Sequence, residues 1–514
     1  MKKNETLYHL VKSLNKTEKR YITVQISSHK NTTPIHLKLF HILDKMRTYN
    51  EQKLKEEYEK LNEKTPLPRV KRYLYHQLKK ILLTYQMDNS IYGKILVELH
   101  AVEFFYNKNL YELSWDAVVR AKKLALNSEK NEILLDILRW EEILITYLSP
   151  KEKQHNREEY QATISKVNNE YNTHVLKEKA YEIITSGKTS QTRINALKES
   201  RLFEEPLLKN STLAQSIRAQ IHFNNAHFFQ NQQLGNYQLA YHAVENNVVL
   251  LENSPEFTTY NPRFYTTSLI NLIVCQLELD DPEATFENLN KLKALENTNP
   301  YNKNRHLLAS INAYYYELSN ILYVYNGHFD KAKNIRDISI QTLKTYKEYI
   351  KPFQVMYFKQ IITLGCFGNE EFKEALYWTN EILNDKSEFI EGIRSQFFII
   401  NIMIHFELGN IDYLPYCIKT AKRYLKRTET ISNADKILLQ HLNKIKKTTT
   451  KKETKDLFSR LVIEIEPLTK DPEKNFSSRN YEFTISWLIA KRDDRKFQEV
   501  FCERIAKNPI HADR

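Results

Sequence analysis

Glycine is scarce in this chain: there are 8 among its 514 residues, whereas globular proteins average roughly 7%. Glycine supplies the left-handed backbone of tight turns and phosphate-binding loops. A Rossmann sheet, a β-propeller and a multi-stranded barrel all depend on such turns. The composition therefore disfavours these architectures, and we expect an all-α fold with a large core, because 41% of the residues are hydrophobic and 12% are aromatic.

Long apolar runs are also missing. The two longest, Ser268–Leu279 and Phe397–Leu408, are interrupted by polar residues and fall short of the roughly 20 residues that span a bilayer. The chain starts with a positively charged segment, but Glu5, His9 and Lys12 interrupt the apolar stretch that a secretory signal peptide requires. We therefore expect a cytoplasmic protein without a membrane partner.

Cysteine is rare, and its spacing contains no CxxC pair. The four cysteines are Cys275, Cys366, Cys417 and Cys502. Such isolated cysteines are typical of small buried apolar residues in a reducing compartment rather than of disulfides or metal sites.

Catalytic and cofactor motifs are absent as well. The segment Ser186–Ser190 ends like a phosphate-binding loop, but Glu182 stands where that loop needs its first glycine. The histidine pairs His222/His227 and His36/His41 are five residues apart, which places their side chains on different faces of a helix. We expect no cofactor, no metal and no enzymatic activity, with an enzyme of unrecognised site as the remaining alternative.

Positive charge is concentrated in two regions. The whole chain has a net charge of +13, of which residues 1–90 carry +10 and residues 419–460 carry +9, leaving −6 for the rest. This asymmetry predicts an acidic or polyanionic partner, although a lysine-rich face is also what a helix exposes to water. In the second region the candidate contacts are Lys422, Arg423, Lys426 and Arg427.

A recurring turn divides the middle of the chain into helix pairs. Each of four glycines follows one apolar, helix-like stretch and precedes another: Gly235, Gly327, Gly368 and Gly409. We expect each to be the left-handed residue that closes a helix. Asp280 and Asn109 mark copies of this turn without glycine. The resulting period of 41–47 residues accommodates two helices and two turns.

At these turns the sequence resembles the tetratricopeptide repeat family, whose motif places Gly-Asp/Asn-Tyr-x-x-Ala between paired helices. One turn matches four positions and the next matches three, through Gly235, Asn236, Tyr237 and Ala240 and through Gly327, Phe329 and Ala332. Gly368 reaches Ala375 two residues late, and the period exceeds the 34 residues of that family. The resemblance covers roughly Ile95 to Arg427. It implies an α-solenoid of antiparallel helix pairs that binds proteins or peptides.

These patterns divide the chain into three predicted parts. Residues 1–90 form a basic helical region, residues 91–427 the tetratricopeptide-like repeats, and residues 428–514 a helical C-terminal cap and tail. In the last part we expect helices over Lys452–Ile465 and Tyr481–Lys491, followed by a frayed end from Asn508 to Arg514.

In the N-terminal region, the sequence predicts four helices, over Glu5–Thr23, Ile35–Arg47, Glu51–Leu61 and Arg69–Tyr85. At about 100° per residue, the last helix has an apolar side opposite a basic one. The basic side consists of Arg69, Arg72, His76, Lys79 and Lys80. A helix-turn-helix protein presents such a face to phosphates and major-groove edges. The alternative is a capping helix with a solvated charged side, since the Asn62–Pro68 connection is longer than the usual turn.

Two non-catalytic functions follow from these features. The first is a helical-repeat scaffold that binds a protein or peptide partner, favoured to be acidic. The alternative is a nucleic-acid-associated regulator with a basic N-terminal head and a repeat body that senses a partner. Neither pattern predicts an oligomeric state.

Overall fold

The computed structural model describes residues 5–27, 34–61, 64–148, 157–186, 190–385, 391–428, 431–445, 450–469 and 478–507. Within these ranges the chain forms α-helices and four short 3-10 helices, and contains no strand. The all-α prediction is confirmed. In the same ranges, no helix combines the length and the apolar character that crossing a membrane requires.

The chain divides into two compact units, Met1–Ile164 and Ser165–Arg514. The first contains α1 (Thr6–Ser13), α2 (Lys16–Ser27), α3 (Ile35–Lys45), α4 (Glu51–Glu59), α5 (Leu67–Asn89), α6 (Ile91–Asn107), α7 (Tyr111–Asn127), α8 (Asn131–Ile145) and the start of α9 (Arg157–Ser186). One core joins α1 to α5 and a second joins α6 to α8. The predicted boundaries after residues 90 and 427 remain predictions.

The single helix predicted over Glu5–Thr23 is wrong, because the backbone becomes extended at Leu14 between α1 and α2. The Asn15 side chain accepts a hydrogen bond from the Glu18 backbone N–H at 2.9 Å, and the Glu18 carboxylate accepts one from the Asn15 N–H at 2.8 Å. This reciprocal capping starts a new helix. The other three N-terminal helices are confirmed, and α5 extends beyond its predicted ends.

The second unit begins within α9 and continues with shorter and longer helices. They are α10 (Ser190–Ser200), α11 (Pro206–Lys209), α12 (Ile217–Leu234), α13 (Tyr237–Glu252), α14 (Pro255–Tyr260), α15 (Pro262–Glu278), α16 (Pro282–Ala294), α17 (Arg305–Tyr325), α18 (Phe329–Thr345), α19 (Pro352–Gly368), α20 (Phe372–Leu383), α21 (Glu391–Glu407), α22 (Leu414–Arg427), α23 (Asn433–Leu442), α24 (Lys451–Thr469), α25 (Ser478–Asp493) and α26 (Phe497–Lys507). The 3-10 helices are Leu202–Glu204, Ser211–Leu213, Leu295–Asn297 and Tyr301–Lys303. Helices are thus confirmed over both predicted C-terminal segments, whereas Asn508–Arg514 lies outside the described residues.

Five helix pairs follow one another from α12 to α22. We call α12, α15, α17, α19 and α21 the first helices and α13, α16, α18, α20 and α22 the second helices. A residue with positive φ follows the end of each first helix by one or two positions: Gly235, Asp280, Gly327, Glu370 and Gly409. The residue five positions further is buried in every pair: Ala240, Thr285, Ala332, Ala375 and Leu414. The same local geometry therefore reverses the chain five times.

Side-chain contacts define the direction of these helices. Asn224 on α12 donates to Asn247 on α13 across an antiparallel pair, at 2.9 Å. The first helices α12 and α15 instead run parallel, because their contacting residues keep nearly the same offset in the sequence. His222 faces Phe264 with 6.3 Å between ring centroids, and Gln232 lies 3.8 Å from the Cys275 sulfur.

The prediction that Gly368 closes a helix in the left-handed conformation is wrong. It lies inside α19, and the left-handed residue is Glu370, with φ of 61°. A Cβ atom at Gly368 would overlap the ring of Phe329, which is fully buried. This glycine therefore allows the close approach of two helix pairs. The predictions for Gly235, Gly327 and Gly409 are confirmed, with φ of 77°, 71° and 73°.

The last helix, α26, returns to the turn between α17 and α18. Gln498 donates to the carbonyl oxygen of Gly327 at 3.3 Å, and the Cys502 sulfur lies against the same glycine. Beside this contact, aromatic rings from four helices meet at centroid distances of 4.7–5.9 Å. They belong to Phe329, Phe367, Phe483, Phe497 and Phe501. The C-terminal helices are therefore part of the same core as α17 to α22.

We predict that Gly368→Ala lowers the thermal midpoint of unfolding, measured by circular dichroism. In a helix this change normally stabilises by roughly 0.5–1 kcal/mol, whereas overpacking against Phe329 costs about 1–3 kcal/mol. The control is the same change in a Phe329→Leu background, where the added methyl group has more room and the loss should shrink. A higher midpoint for Gly368→Ala alone would contradict the close approach.

Candidate functional site

The basic face predicted on α5 is exposed. Arg69, Arg72, His76, Lys79 and Lys80 all face solvent, while Leu67, Val70, Leu74 and Leu78 are buried in the core that α5 shares with α2 and α3. Among the described residues, none of the four Lys and Arg side chains makes an ion pair. Lys71 is different, because its ammonium group lies 2.8 Å from the Glu51 carboxylate. The unpaired cations are thus available to an external anion.

Two aromatic side chains lie among these cations. Tyr73 and Tyr75 are 50% and 38% exposed. The Tyr73 ring contacts His36 of α3 edge-on, at 5.0 Å between centroids. The Tyr58 hydroxyl donates to the Thr65 carbonyl at 2.6 Å, which fixes part of the connection before α5. The face combines positive charge with rings that can stack.

The second basic cluster lies on α22. Its apolar side is buried, whereas Arg423, Lys426 and Arg427 are exposed and Lys422 is half-buried. The Arg427 guanidinium lies 5.2 Å from the centroid of the Tyr424 ring, a cation–π contact that holds it against the helix. The structure places these four residues on one helix.

The segment that ends like a phosphate-binding loop includes Gly187, Lys188 and Thr189, which lie outside the described residues. Among the described residues, no three His, Cys, Asp or Glu side chains form a group suited to a metal ion. Cys275, Cys366 and Cys417 are buried, as expected, and Cys502 is half-buried.

A group of tyrosines from three helices of the second unit was not predicted from sequence as a site. Burial, followed by the charges of Glu317, Tyr181 and Tyr357, raises the pKa of Tyr314 to about 12. Each of these groups therefore lies within electrostatic range of Tyr314, although α9, α17 and α19 carry them. Tyr181 and Tyr357 are each 45% exposed. We call Tyr181, Tyr314, Tyr357 and Glu317 the tyrosine surface.

Glu317 is the buried member of this surface. Burial raises the pKa of Glu317 to about 8, and a hydrogen bond from the Gln354 amide, 3.0 Å from the carboxylate, opposes that rise. No cation pairs with Glu317 among the described residues. The side chain therefore keeps its proton near neutral pH, and the tyrosine surface carries no negative charge there.

A positive charge lies beside the tyrosine surface. Burial raises the pKa of Tyr357, Glu317 adds to this rise, and Arg193 of α10 opposes it. The Arg193 side chain also donates to Gln233 of α12 at 2.8 Å. The sequence contains no signal for this grouping, because the run Tyr314-Tyr315-Tyr316 is typical of core packing and the partners are distant along the chain.

No family model, no curated protein and no solved structure matches this chain.

We predict that Glu317→Gln becomes progressively more stable than the natural protein as pH rises from 5 to 8. The unfolded chain releases the Glu317 proton near its usual pKa of 4.5, whereas the folded chain keeps it to about 8. Between these values the folded state binds more protons, so its stability falls as pH rises. Glutamine removes the titration and retains a polar partner for Gln354.

The free energy of unfolding in urea at several pH values measures this difference. The control is Glu348→Gln, which alters an exposed carboxylate and should follow the natural protein. Parallel pH profiles for Glu317→Gln and the natural protein would contradict a buried protonated carboxyl.

Proposed function

We propose that this chain is a non-catalytic, cytoplasmic helical-repeat scaffold that binds a protein or peptide partner through the tyrosine surface. The parallel first helices α12 and α15 and the recurrent left-handed turns support an α-solenoid of the tetratricopeptide type. The observation that carries the proposal is the exposure of two tyrosine rings, Tyr181 on α9 and Tyr357 on α19, that both lie within electrostatic range of Tyr314 on α17. Partly exposed tyrosines on rigid helices are favourable anchors for a polypeptide.

An acidic partner fits the charges around this surface. Glu317 is protonated near neutral pH, so it does not repel a carboxylate, and Arg193 supplies a neighbouring cation. At long range, residues 1–90 and 419–460, with net charges of +10 and +9, attract acidic chains. The exposed cations of α22 offer a second contact for such a partner.

We predict that Tyr181→Ala and Tyr357→Ala each weaken the binding of a polypeptide ligand by about tenfold or more, because truncating an aromatic anchor typically costs over 1 kcal/mol. The probe is the peptide most enriched when a random displayed library is selected on the full chain, labelled for fluorescence anisotropy. The matched control is Tyr377→Ala on the second helix α20, where the ring is 55% exposed.

Unchanged affinity in both tyrosine variants, or failure of any peptide to be enriched, would contradict the proposed surface. Loss of binding in Tyr377→Ala alone would move the contact to the second helices.

A second function, nucleic-acid binding by the first unit, is favoured by the α5 face. Five exposed basic residues and two exposed tyrosines share one 23-residue helix. Cations meet phosphates, and aromatic rings stack on unpaired bases. In this alternative, α5 acts as the recognition helix after α3 and α4, and the repeat body senses a partner.

For this alternative we predict that reversing Arg69, Arg72, Lys79 and Lys80 to Glu abolishes binding of mixed-sequence duplex DNA and single-stranded RNA. Fluorescence anisotropy at two salt concentrations measures it, since each phosphate contact contributes about −0.9 to the slope of log K against log salt on duplex DNA. The matched control reverses four exposed cations elsewhere in the same unit: Lys94, Lys108, Lys123 and Arg139.

Loss of binding in the α5 variant alone would move this function to first place. Equal binding by both variants would exclude the α5 face and direct attention to residues 419–460, and no binding by the natural protein would exclude the function.

A further inference from the structure

A cavity of about 490 Å³ lies within the second unit. Its walls come from α9, α12 and the beginnings of α15 and α17. The volume lies within the range of sites for small molecules, roughly 300–1,000 Å³. Apolar side chains form part of the wall: Ile221, Pro262, Phe264 and Leu307. The other lining groups are cationic, amide, hydroxyl or imidazole groups, and no carboxylate lines the described part of the cavity.

Two cations reach this cavity. Arg263 is exposed at the start of α15 and has no ion-pair partner among the described residues. Lys177 on α9 is largely buried and pairs with Glu178, its neighbour along the chain. The site therefore offers one unpaired positive charge and a second one that is shared with a partly exposed carboxylate.

A third cation, Arg218, supports the wall instead of lining the cavity. Its guanidinium donates to the Asn261 side chain at 2.8 Å and lies 3.3 Å from the Glu170 carboxylate. It also stacks near Phe257 and Phe264, 5.7 and 5.6 Å from their ring centroids. This network holds α12 against the start of α15, so the cavity is built on fixed elements.

His222 is one of the polar residues that line the cavity. Its Nδ1 atom is buried and has no hydrogen-bond partner among the described residues. Burial, followed by the charges of Lys177, His174 and Arg218, lowers the pKa of His222 to about 3. The ring is therefore neutral at physiological pH, and its buried nitrogen lacks the hydrogen bond that such atoms normally make.

We propose that this cavity binds a small organic anion, whose carboxylate or phosphate group is held by Lys177 and Arg263 beside the ring of His222. Two cations in the lining attract an oxyanion. No carboxylate in the described lining repels it. The body of the ligand is apolar or aromatic, because it lies against Phe264, Pro262 and Leu307. The residues that line this site belong neither to the tyrosine surface nor to the α5 face.

The test is calorimetric titration of the full chain with three probes of the same shape: 2-naphthoate, 2-naphthyl phosphate and the neutral 2-naphthol. At least one anion should bind about tenfold more tightly than the neutral probe, as expected for a charge-assisted contact. The stronger of the two anions identifies whether the natural ligand carries a carboxylate or a phosphate.

Arg263→Met and Lys177→Met should each weaken anion binding severalfold without affecting the neutral probe. Lys344→Met, on the exposed side of α18, is the matched control and should bind like the natural protein. Because Arg263 is exposed, its variant keeps the test valid if Lys177→Met fails to fold. Equal binding of anionic and neutral probes, unchanged affinity in Arg263→Met, or no binding of any probe at millimolar concentration would overturn the proposal.

Discussion

The reversal at the end of each first helix is the constraint on which the second unit depends. At the turn after α17, the N–H of His328 donates to the Tyr323 carbonyl and that of Gly327 to the Val324 carbonyl, at 2.8 and 3.1 Å. Such paired bonds satisfy carbonyl groups that a helix end leaves without partners. They also fix the direction of the following helix, so that the residue five positions after the positive-φ residue is buried. Asp280 and Glu370 adopt this conformation without glycine, at a cost of about 1–2 kcal/mol that the packing of the helix pairs offsets.

Burial also decides the charge of the groups inside the second unit. Glu317 retains its proton and His222 loses its proton near neutral pH, because each lies where a charge is poorly solvated. The tyrosine surface and the cavity thus each contain a titratable side chain that is neutral near pH 7, Glu317 in the first and His222 in the second. The cations beside these groups differ in exposure: Arg263 on α15 is exposed, whereas Lys177 on α9 is largely buried.

The sequence predicts local features well where one helix or turn contains all the information. The Gly235–Ala240 turn and the two faces of α5 follow from spacing alone, and the break at Asn15 is also encoded locally by Glu18. The sequence does not reveal Glu370 as the left-handed residue, because the glycine lies two positions earlier. Gly368 is needed there for another reason: a side chain at this position would overlap the Phe329 ring. The tyrosine surface and the cavity join residues from helices far apart in the chain. No period connects such residues, so packing of the helices must be known before either site can be recognised.

The return of α26 to the turn at Gly327 sets an order of events during synthesis. Gln498 follows Gly327 by 171 residues, which a ribosome adds in about 10–30 s at 5–20 residues per second. For that time α17 and α18 are complete, while Phe329 lacks the rings of Phe497 and Phe501 that later cover it. The nascent chain thus exposes an apolar ring at the start of α18 until α26 emerges.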